Sequence, residues 1–471
     1  MTAPAFASSY DLVVVGAGPA GLAAATLAAQ AGLATLLLDE NASPGGQIYR
    51  AVTTTPLPDR ALLGPEFAQG GALVEAFARS GAAYVAGATV WHLDRDLTLG
   101  VSAAGRAALI KARRVILATG ALERPFPIPG WTLPGVMTIG AAQTLLKASG
   151  MIPQGRVALA GSGPLLWLYA AQLKRAGGRL AAILDTTPRE NWRAAWRHMP
   201  DFLRSPYAFK GLKLTREARA GTRVIANVTD LEAFGEGRLA GLRYAAGGKR
   251  GELSLDALLL HQGVVPNVNL AMAAGVAHRW DEAQACFVPT LDAGGQSSVQ
   301  GVSIAGDGAG IGGAEAAAER GRLAAVAVVK ALKPEASTPD AAAIAAALAK
   351  AMRGRAFLDA LFRPAPAFRV PARDEVIVCR CEEVSAGDIR ASVAIGATGP
   401  NQLKAYRRAG MGPCQGRMCG LTVTELMAQA RGKTAQEIGY YRLRSPVKPV
   451  TLDEIASIQP DPAAIAAVVR E

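Results

Sequence analysis

Histidine, cysteine, aromatic residues and acidic charge are all scarce in this 471-residue chain. It has four histidines, five cysteines and 6% aromatics, and 50 Lys and Arg outnumber 38 Asp and Glu, for a formal net charge of +12. The cysteines are too unevenly spread for a disulfide framework: Cys286 stands alone, while Cys379, Cys381, Cys414 and Cys419 cluster near the C-terminus. The histidines, His92, His198, His261 and His278, have no local partner motif, so none reads as a general base and each is expected to be structural. No run of about 18 uninterrupted apolar residues occurs, which argues against a transmembrane segment. The opening MTAPAFASSYDLVVVGAG lacks the basic start, apolar core and small-residue cleavage site of a signal peptide. A cytoplasmic protein is expected, peripheral to a membrane only through partners.

What is present is ample for a folded protein. Half the residues are hydrophobic and 19% are charged, enough to bury a sizeable core, and a prior of about 150 residues per domain gives roughly three domains. Half of the excess positive charge lies between Arg189 and Arg223, beside Trp192, Trp196 and Tyr207. No recognised nucleic-acid module accompanies it, so the stretch reads as a helical insert, solvated or used for docking or phosphate binding, and nucleic acid is not an expected partner.

Two stretches share one layout of strand, glycine turn, helix and strand: DLVVVGAGPAGLAAATLAAQAGLATLLLD at 11–39 and RVALAGSGPLLWLYAAQLKRAGGRLAAILD at 156–185. In the first, Gly16, Gly18 and Gly21 form GxGxxG. The first glycine makes the tight turn, the second lets backbone approach a pyrophosphate, and the third allows close helix packing, while Asp39 is placed to accept from a ribose hydroxyl. Pro19 and Ala20 open the helix whose N-terminal N–H groups and dipole favour phosphate. In the second stretch Gly161, Gly163 and Asp185 are kept, but Leu166 replaces the third glycine. Its occupant stays open between NAD, NADP, an ATP-like adenine nucleotide and none. Arg189 and Arg193 just beyond are either extra phosphate contacts or solvated surface.

The pair Cys379-x-Cys381 and the pair Cys414-x4-Cys419 form the second chemical signal. Four thiolates suit a [2Fe-2S] cluster, and the Gly-rich surroundings GMGPCQGRMCG suit a loop whose N–H groups point at sulfur. Tetrahedral zinc is the alternative, although zinc pairs usually leave two to four residues between cysteines. No cysteine pair stands in the glycine-turn segments, so disulfide reduction is not expected, and no nucleophile, general base or substrate-anchoring arginine stands out.

PGGQIY at 44–49, VILATGA at 115–121 and IAGDGA at 304–309 complete a pattern similar to the FAD domain of two-dinucleotide-domain flavoproteins of glutathione-reductase-like layout. The resemblance implies FAD contacts from Gly16, Gly18, Pro19, Ala20 and Gly21, from Asp39 and Glu40, and from Gly45, Gly46 and Gln47. It further implies a cofactor contact from Ala118, that Thr119 and Gly120 close over the adenine side, and that Gly306 and Asp307 meet the ribityl and pyrophosphate portion; for Asp307 alone an N-cap is the alternative. With CRCEEV, NQLKAYRRAGMGPCQGRMCG and SPVKPVTLDEIA added, residues from about 10 to 455 resemble the large FAD subunit of opine oxidases, D-hydroxyproline dehydrogenase and bacterial hydrogen cyanide synthase. The C-terminal cysteines resemble bacterioferritin-associated-ferredoxin-like (BFD-like) [2Fe-2S] modules.

That resemblance implies an electron-accepting FAD/[2Fe-2S] subunit. A partner flavoprotein subunit of the glycine or D-amino-acid oxidase type would oxidise an amine CH–NH substrate, with room for a small third ferredoxin-like subunit. Lys404, Arg407, Arg408 and Arg417 around the cysteines would either meet an acidic docking partner or solvate an anionic cluster. Two other readings remain: a self-contained NAD(P)H-dependent reductase, favoured by Gly161, Gly163 and Asp185, and an assembly scaffold with structural nucleotide sites. The expected fold is an α/β two-dinucleotide-binding-domain flavoprotein. Its parts are a first FAD segment at 1–130, a second nucleotide-binding domain at 131–284 and a returning FAD segment at 285–332. A linker with a helical segment at 333–373, the BFD-like module at 374–432 and a tail at 433–471 complete it.

Overall fold

The first glycine turn joins the strand Ser9–Val15 to the helix Pro19–Gln30, and the strand Thr35–Asp39 follows in parallel register. Along the first strand, Leu12 and Val14 point to one face of the sheet and Val13 and Val15 to the other, and all four are buried. In the computed structural model, which describes residues 6, 7 and 9–458, this strand lies inside a seven-stranded sheet. The parallel strands Ala83–Ala86, Thr35–Asp39, Ser9–Val15 and Arg106–Leu117 run side by side. The long strand Arg106–Leu117 pairs antiparallel with Thr98–Ala103 along its first half and parallel with Val302–Ile304 at its end. Helices Pro19–Gln30 and Ala314–Leu332 cover one face, with Leu22 and Val326 packed on Val14 and Leu37.

The second turn belongs to a five-stranded parallel sheet ordered Val224–Ala226, Leu180–Asp185, Val157–Ser162, Ala257–Gln262 and Val136–Thr138. Its two faces pack on helices Ile139–Ser149 and Pro164–Arg175 and on a three-stranded antiparallel sheet at 228–254. Leu166, the residue in the third glycine position, is fully buried against the first of these faces. The basic insert folds into helices Arg189–Trp196, Met199–Leu203 and Pro206–Arg219. Its inner side stacks Phe202 on Phe357, while Trp196, Leu203, Phe209 and Leu212 stay exposed.

The two glycine-turn domains are joined by two crossings that pair as short strands, Ala121–Glu123 with Val264–Pro266. Phe126 and Ile128 already pack in the second domain, and Leu270, Ala271 and Val276 already pack in the first. Packing therefore moves both crossings closer to the paired strands than 130 and 285. At the C-terminal end Ile438, Tyr441 and Leu443 are part of the cysteine module's core, Val447 enters the first domain's core, and the Ser457 hydroxyl accepts from Ala107 N–H. The stretch after 432 is thus a strap over the first domain as far as 458; the rest of the expected tail, 459–471, and residues 1–5 and 8 lie outside the described residues. Among the described residues no helix is long and apolar enough to cross a membrane.

Candidate functional site

Each glycine of the first turn has a distinct reason to be glycine. A Cβ on Gly16 would lie 2.4 Å from the Ala118 carbonyl oxygen, and one on Gly21 would lie 1.8 Å from that of Gly16. Around Gly18, by contrast, the nearest atom to such a Cβ is Gly46 Cα at 3.8 Å, so chain packing leaves this position open. The helix begins at Pro19, with no side chain capping its first N–H groups. Gly46, at φ +61°, lies against Gly18, and Gly45 turns against Tyr49, which brings the PGGQIY loop onto the turn. Gly306 sits on Ala20 from the other side.

Asp39 is buried and already engaged. Its Oδ2 accepts from Ala17 N–H at 2.5 Å, and its Oδ1 from the backbone and side-chain nitrogens of Asn41, both at 2.7 Å. A carboxylate oxygen accepts more than one hydrogen bond, so Asp39 both shapes the turn and keeps capacity for a ribose hydroxyl. Glu40 pairs with Lys448 of the strap. Asp307 Oδ1 accepts from Gly312 and Gly313 N–H at 2.8 and 3.0 Å, which orders the loop before helix Ala314–Leu332 and leaves Oδ2 free of those bonds. Thr119 donates to the Asn267 carbonyl at 3.2 Å. An uncapped helix start, an open second glycine and carboxylates with spare acceptor capacity fit a dinucleotide of the FAD type.

At the second turn a Cβ on Gly161 would meet the His261 carbonyl oxygen at 1.7 Å, and one on Gly163 would lie 3.1 Å from His261 Nε2. The helix Pro164–Arg175 starts without a side-chain cap. Asp185 accepts from Thr187 N–H at 2.9 Å, and burial holds its carboxyl above the ordinary range.

The four C-terminal cysteines come together in their module, Cys379 and Cys419 buried, Cys414 partly buried and Cys381 exposed. Cys379 pairs with Cys419, and Cys381 with Cys414. The Cys419 thiol, joined by N–H groups of Gly410, Glu382 and Cys381, pulls the Cys379 thiol down to about 6. The Cys414 N–H points at Cys381. Among the described residues no three or more His, Cys, Asp or Glu side chains close into one metal-ligand set; the sulfurs stand as two pairs. The four thiols and the backbone donors around them are the groups that could hold a cluster or a metal ion here.

One cavity of about 1550 Å³ joins these parts, larger than the roughly 300–1,000 Å³ of a single small-molecule site. It is lined by Gly16, Gly18, Pro19, Ala20, Asp39, Glu40, Gly46, Gln47, Ala118, Thr119, Gly120, Gly306 and Asp307, and also by Gly163 and Asp185. Gly21, Gly45 and Gly161 sit behind its wall as packing glycines. Arg417 and Met418, between Cys414 and Cys419, line it too, and none of the five cysteines does.

Several lining or supporting residues carry no mark in the sequence pattern. His261 is almost fully buried, with Nδ1 2.5 Å from Glu123 Oε1, a partner distant in the sequence. Its place at the C-terminal end of a parallel strand was the available signal. Lys147, from the second domain, donates to the Gln47 and Ile48 carbonyls at 3.1 and 2.9 Å and clamps the PGGQIY loop. Burial, with Arg50 adding to it, pushes its ammonium down to about 7. Nothing in sequence spacing marks a residue 100 positions away from the loop it holds.

Residues 10–331 match the family described as pyridine nucleotide-disulphide oxidoreductase, and residues 374–459 match the sarcosine oxidase A3 domain. The chain is 47% identical to the A subunit of opine oxidase from Agrobacterium tumefaciens (strain Ach5), over 98% of this chain and 94% of that one. It is 31% identical to the HcnB subunit of hydrogen cyanide synthase from Pseudomonas aeruginosa, over 93% and 96%. The crystal structure of L-proline dehydrogenase from P. horikoshii superposes with a TM-score of 0.73 at 21% identity, covering 95% of this chain and 79% of that one, a likeness of fold.

Proposed function

Because the chain belongs to the family of opine oxidase A subunits, FAD-dependent oxidoreductases that work within heteromeric amine-oxidising complexes, we propose that it is the FAD/[2Fe-2S] electron-transfer subunit of such a complex. The amine CH–NH substrate, of opine, proline-derivative or glycine type, is oxidised in a partner flavoprotein subunit of the glycine/D-amino-acid oxidase type, and its electrons are relayed here. One observation carries this reading: the loop between Cys414 and Cys419 lines the cavity formed by Gly16, Thr119 and Gly306. Asn269, in the flavoprotein body, also donates to the Gln415 carbonyl at 2.8 Å, which fixes that loop against the flavin side.

When bound, FAD takes two electrons together and releases them singly, whereas an iron–sulfur cluster carries one at a time. The chain's residues hold and insulate these groups. Gly18 and the helix start at Pro19 receive the pyrophosphate, Asp39 the ribose, and Asp307 the polar end of the flavin chain. Cys379, Cys381, Cys414 and Cys419 ligate the cluster. Gly161, Gly163 and Asp185 hold a second nucleotide, NAD(P) or ATP-like. The lack of a cysteine in the cavity lining fits a relay and not disulfide reduction.

An anaerobic titration of the full chain tests this. NADH alone is expected to leave the flavin's visible band intact, and addition of the partner subunit with an amine substrate is expected to bleach it. Prompt bleaching by NADH would overturn the relay and support the self-contained NAD(P)H reductase that the second turn otherwise favours.

A further inference from the structure

The cysteine loop GMGPCQGRMCG is rich in glycine for a reason that lies outside the loop. Gly410 and Gly416 have φ +81° and +78°, and a Cβ on them would stand 2.6 and 2.7 Å from the ring of Tyr441. The two glycines therefore make a seat for one aromatic ring, and that ring arrives from the strap after 432. The strap backbone is pinned on both sides of it. The Gly439 carbonyl accepts from the Thr424 hydroxyl at 2.8 Å, and Arg442 N–H donates to Asn401 Oδ1 at 2.8 Å. Lys404 Nζ lies 4.8 Å from the ring centroid, an attractive placement of a cation over an aromatic face.

Packing accounts for the ring and leaves its hydroxyl to be explained. Tyr441 is 2% exposed, and a phenylalanine would fill the same seat. Buried polar atoms nearly always find a partner. Among the described residues the one hydrogen-bond partner of the Tyr441 hydroxyl is Cys419 Sγ, at 3.7 Å, a length that the large sulfur atom allows. A cysteine that ligates a metal is a thiolate without a hydrogen, whereas a phenol, ordinarily titrating at about 10, keeps its proton at neutral pH. In the loaded site the hydroxyl donates and the sulfur accepts.

Reducing a two-iron cluster adds one electron and makes or breaks no bond, so its ligand sulfurs carry more negative charge in the reduced form. A hydrogen bond aimed at one of those sulfurs stabilises that form more than the oxidised one. We propose that Tyr441 sets the cluster's reduction potential: its hydroxyl, seated by Gly410 and Gly416, donates to Cys419 and makes the cluster easier to reduce. This rests on the reading of the four cysteines as ligands of a [2Fe-2S] cluster and adds the residue that tunes it.

Anaerobic redox titration of the full chain tests it, with the reduced cluster followed by electron paramagnetic resonance and with iron and sulfide measured for each variant. Tyr441→Phe keeps the ring and is expected to lower the ratio of reduced to oxidised cluster at a fixed potential about tenfold, a downward shift of ~59 mV for one electron. Tyr440→Phe removes a neighbouring hydroxyl that donates to the Gly416 carbonyl at 3.2 Å and not to sulfur, and is expected to leave the potential where it was. A 3-fluorotyrosine at position 441, a stronger donor of nearly the same size, is expected to shift the potential upward, and it decides the matter should Tyr441→Phe fail to hold iron. An unchanged potential in Tyr441→Phe with iron retained, an equal shift in both phenylalanine variants, or no upward shift with fluorotyrosine would overturn the role of Tyr441 and leave the cluster standing. Absence of iron and sulfide from the unaltered chain would overturn the cluster itself.

Discussion

Replacing Gly18 and Gly21 by alanine, one at a time, separates ligand contact from chain packing within a single turn. At Gly21 the new methyl carbon would stand 1.8 Å from the Gly16 carbonyl oxygen, where ordinary contact begins at 3.4 Å, and the obstacle is backbone with no side-chain freedom to yield. Overpacking of this kind costs about 1–3 kcal/mol or more, which lowers the melting temperature by several degrees in a protein of this size. At Gly18 the backbone is extended, with φ −76° and ψ −175°, and the nearest neighbour of the methyl is 3.8 Å away. The apo-chain should therefore lose no more than the ~1 kcal/mol of a poorer N-cap. The methyl instead occupies the approach path of the pyrophosphate, and a clash of about 2 kcal/mol there weakens FAD roughly thirtyfold. Flavin content after gel filtration and thermal unfolding of the flavin-stripped chains measure both effects. Gly18→Ala with full flavin content, or the same apo-state destabilisation for both variants, would refute the assignment of Gly18 to the cofactor and Gly21 to packing.

Metal analysis of the full chain should find about two irons with acid-labile sulfide and no stoichiometric zinc; Cys381→Ser should remove the cluster's visible absorbance while the flavin stays bound. Burial pushes the Cys286 thiol up to about 12 against the opposing pull of Arg124. Alkylation at about pH 8 followed by peptide mass spectrometry should therefore leave Cys286 unmodified in the native chain and label it only after unfolding. Glu425, on the cysteine module's helix, is buried with Arg369 at 2.9 Å and Arg124 at 3.7 Å. Glu425→Ala leaves the buried Arg124 and the partly buried Arg369 without their carboxylate and should cost about 3–5 kcal/mol, seen as a lower melting temperature and as earlier proteolysis at the Pro-rich stretch 364–372.

Much of the flavin cradle was legible because its signals are local. Turn glycines, Pro19 at a helix start and an acid at the next strand end act over one strand–turn–helix unit, where spacing along the chain is also spacing in space. The second glycine turn has the same local layout, and the spacing of the four cysteines put them in one module, where they stand as two pairs. Sequence spacing shows no partner for any of the four histidines, and His261 shows why: 138 residues separate it from Glu123, and the two meet only after two crossings between domains bring the strands together.

The sequence by itself determined the two βαβ units, the glycines that cannot carry a side chain and the clustering of the thiols, since backbone geometry and short-range packing impose them wherever the chain folds. Only the tertiary structure decided that Asp39 spends its carboxylate partly on its own turn, that Lys147 clamps the PGGQIY loop from the second domain and that the stretch after 432 straps the flavoprotein body. It also decided that the cysteine loop and both glycine turns open onto one cavity. These contacts join residues far apart in the chain, and their energies depend on burial and orientation, which no spacing along the sequence encodes.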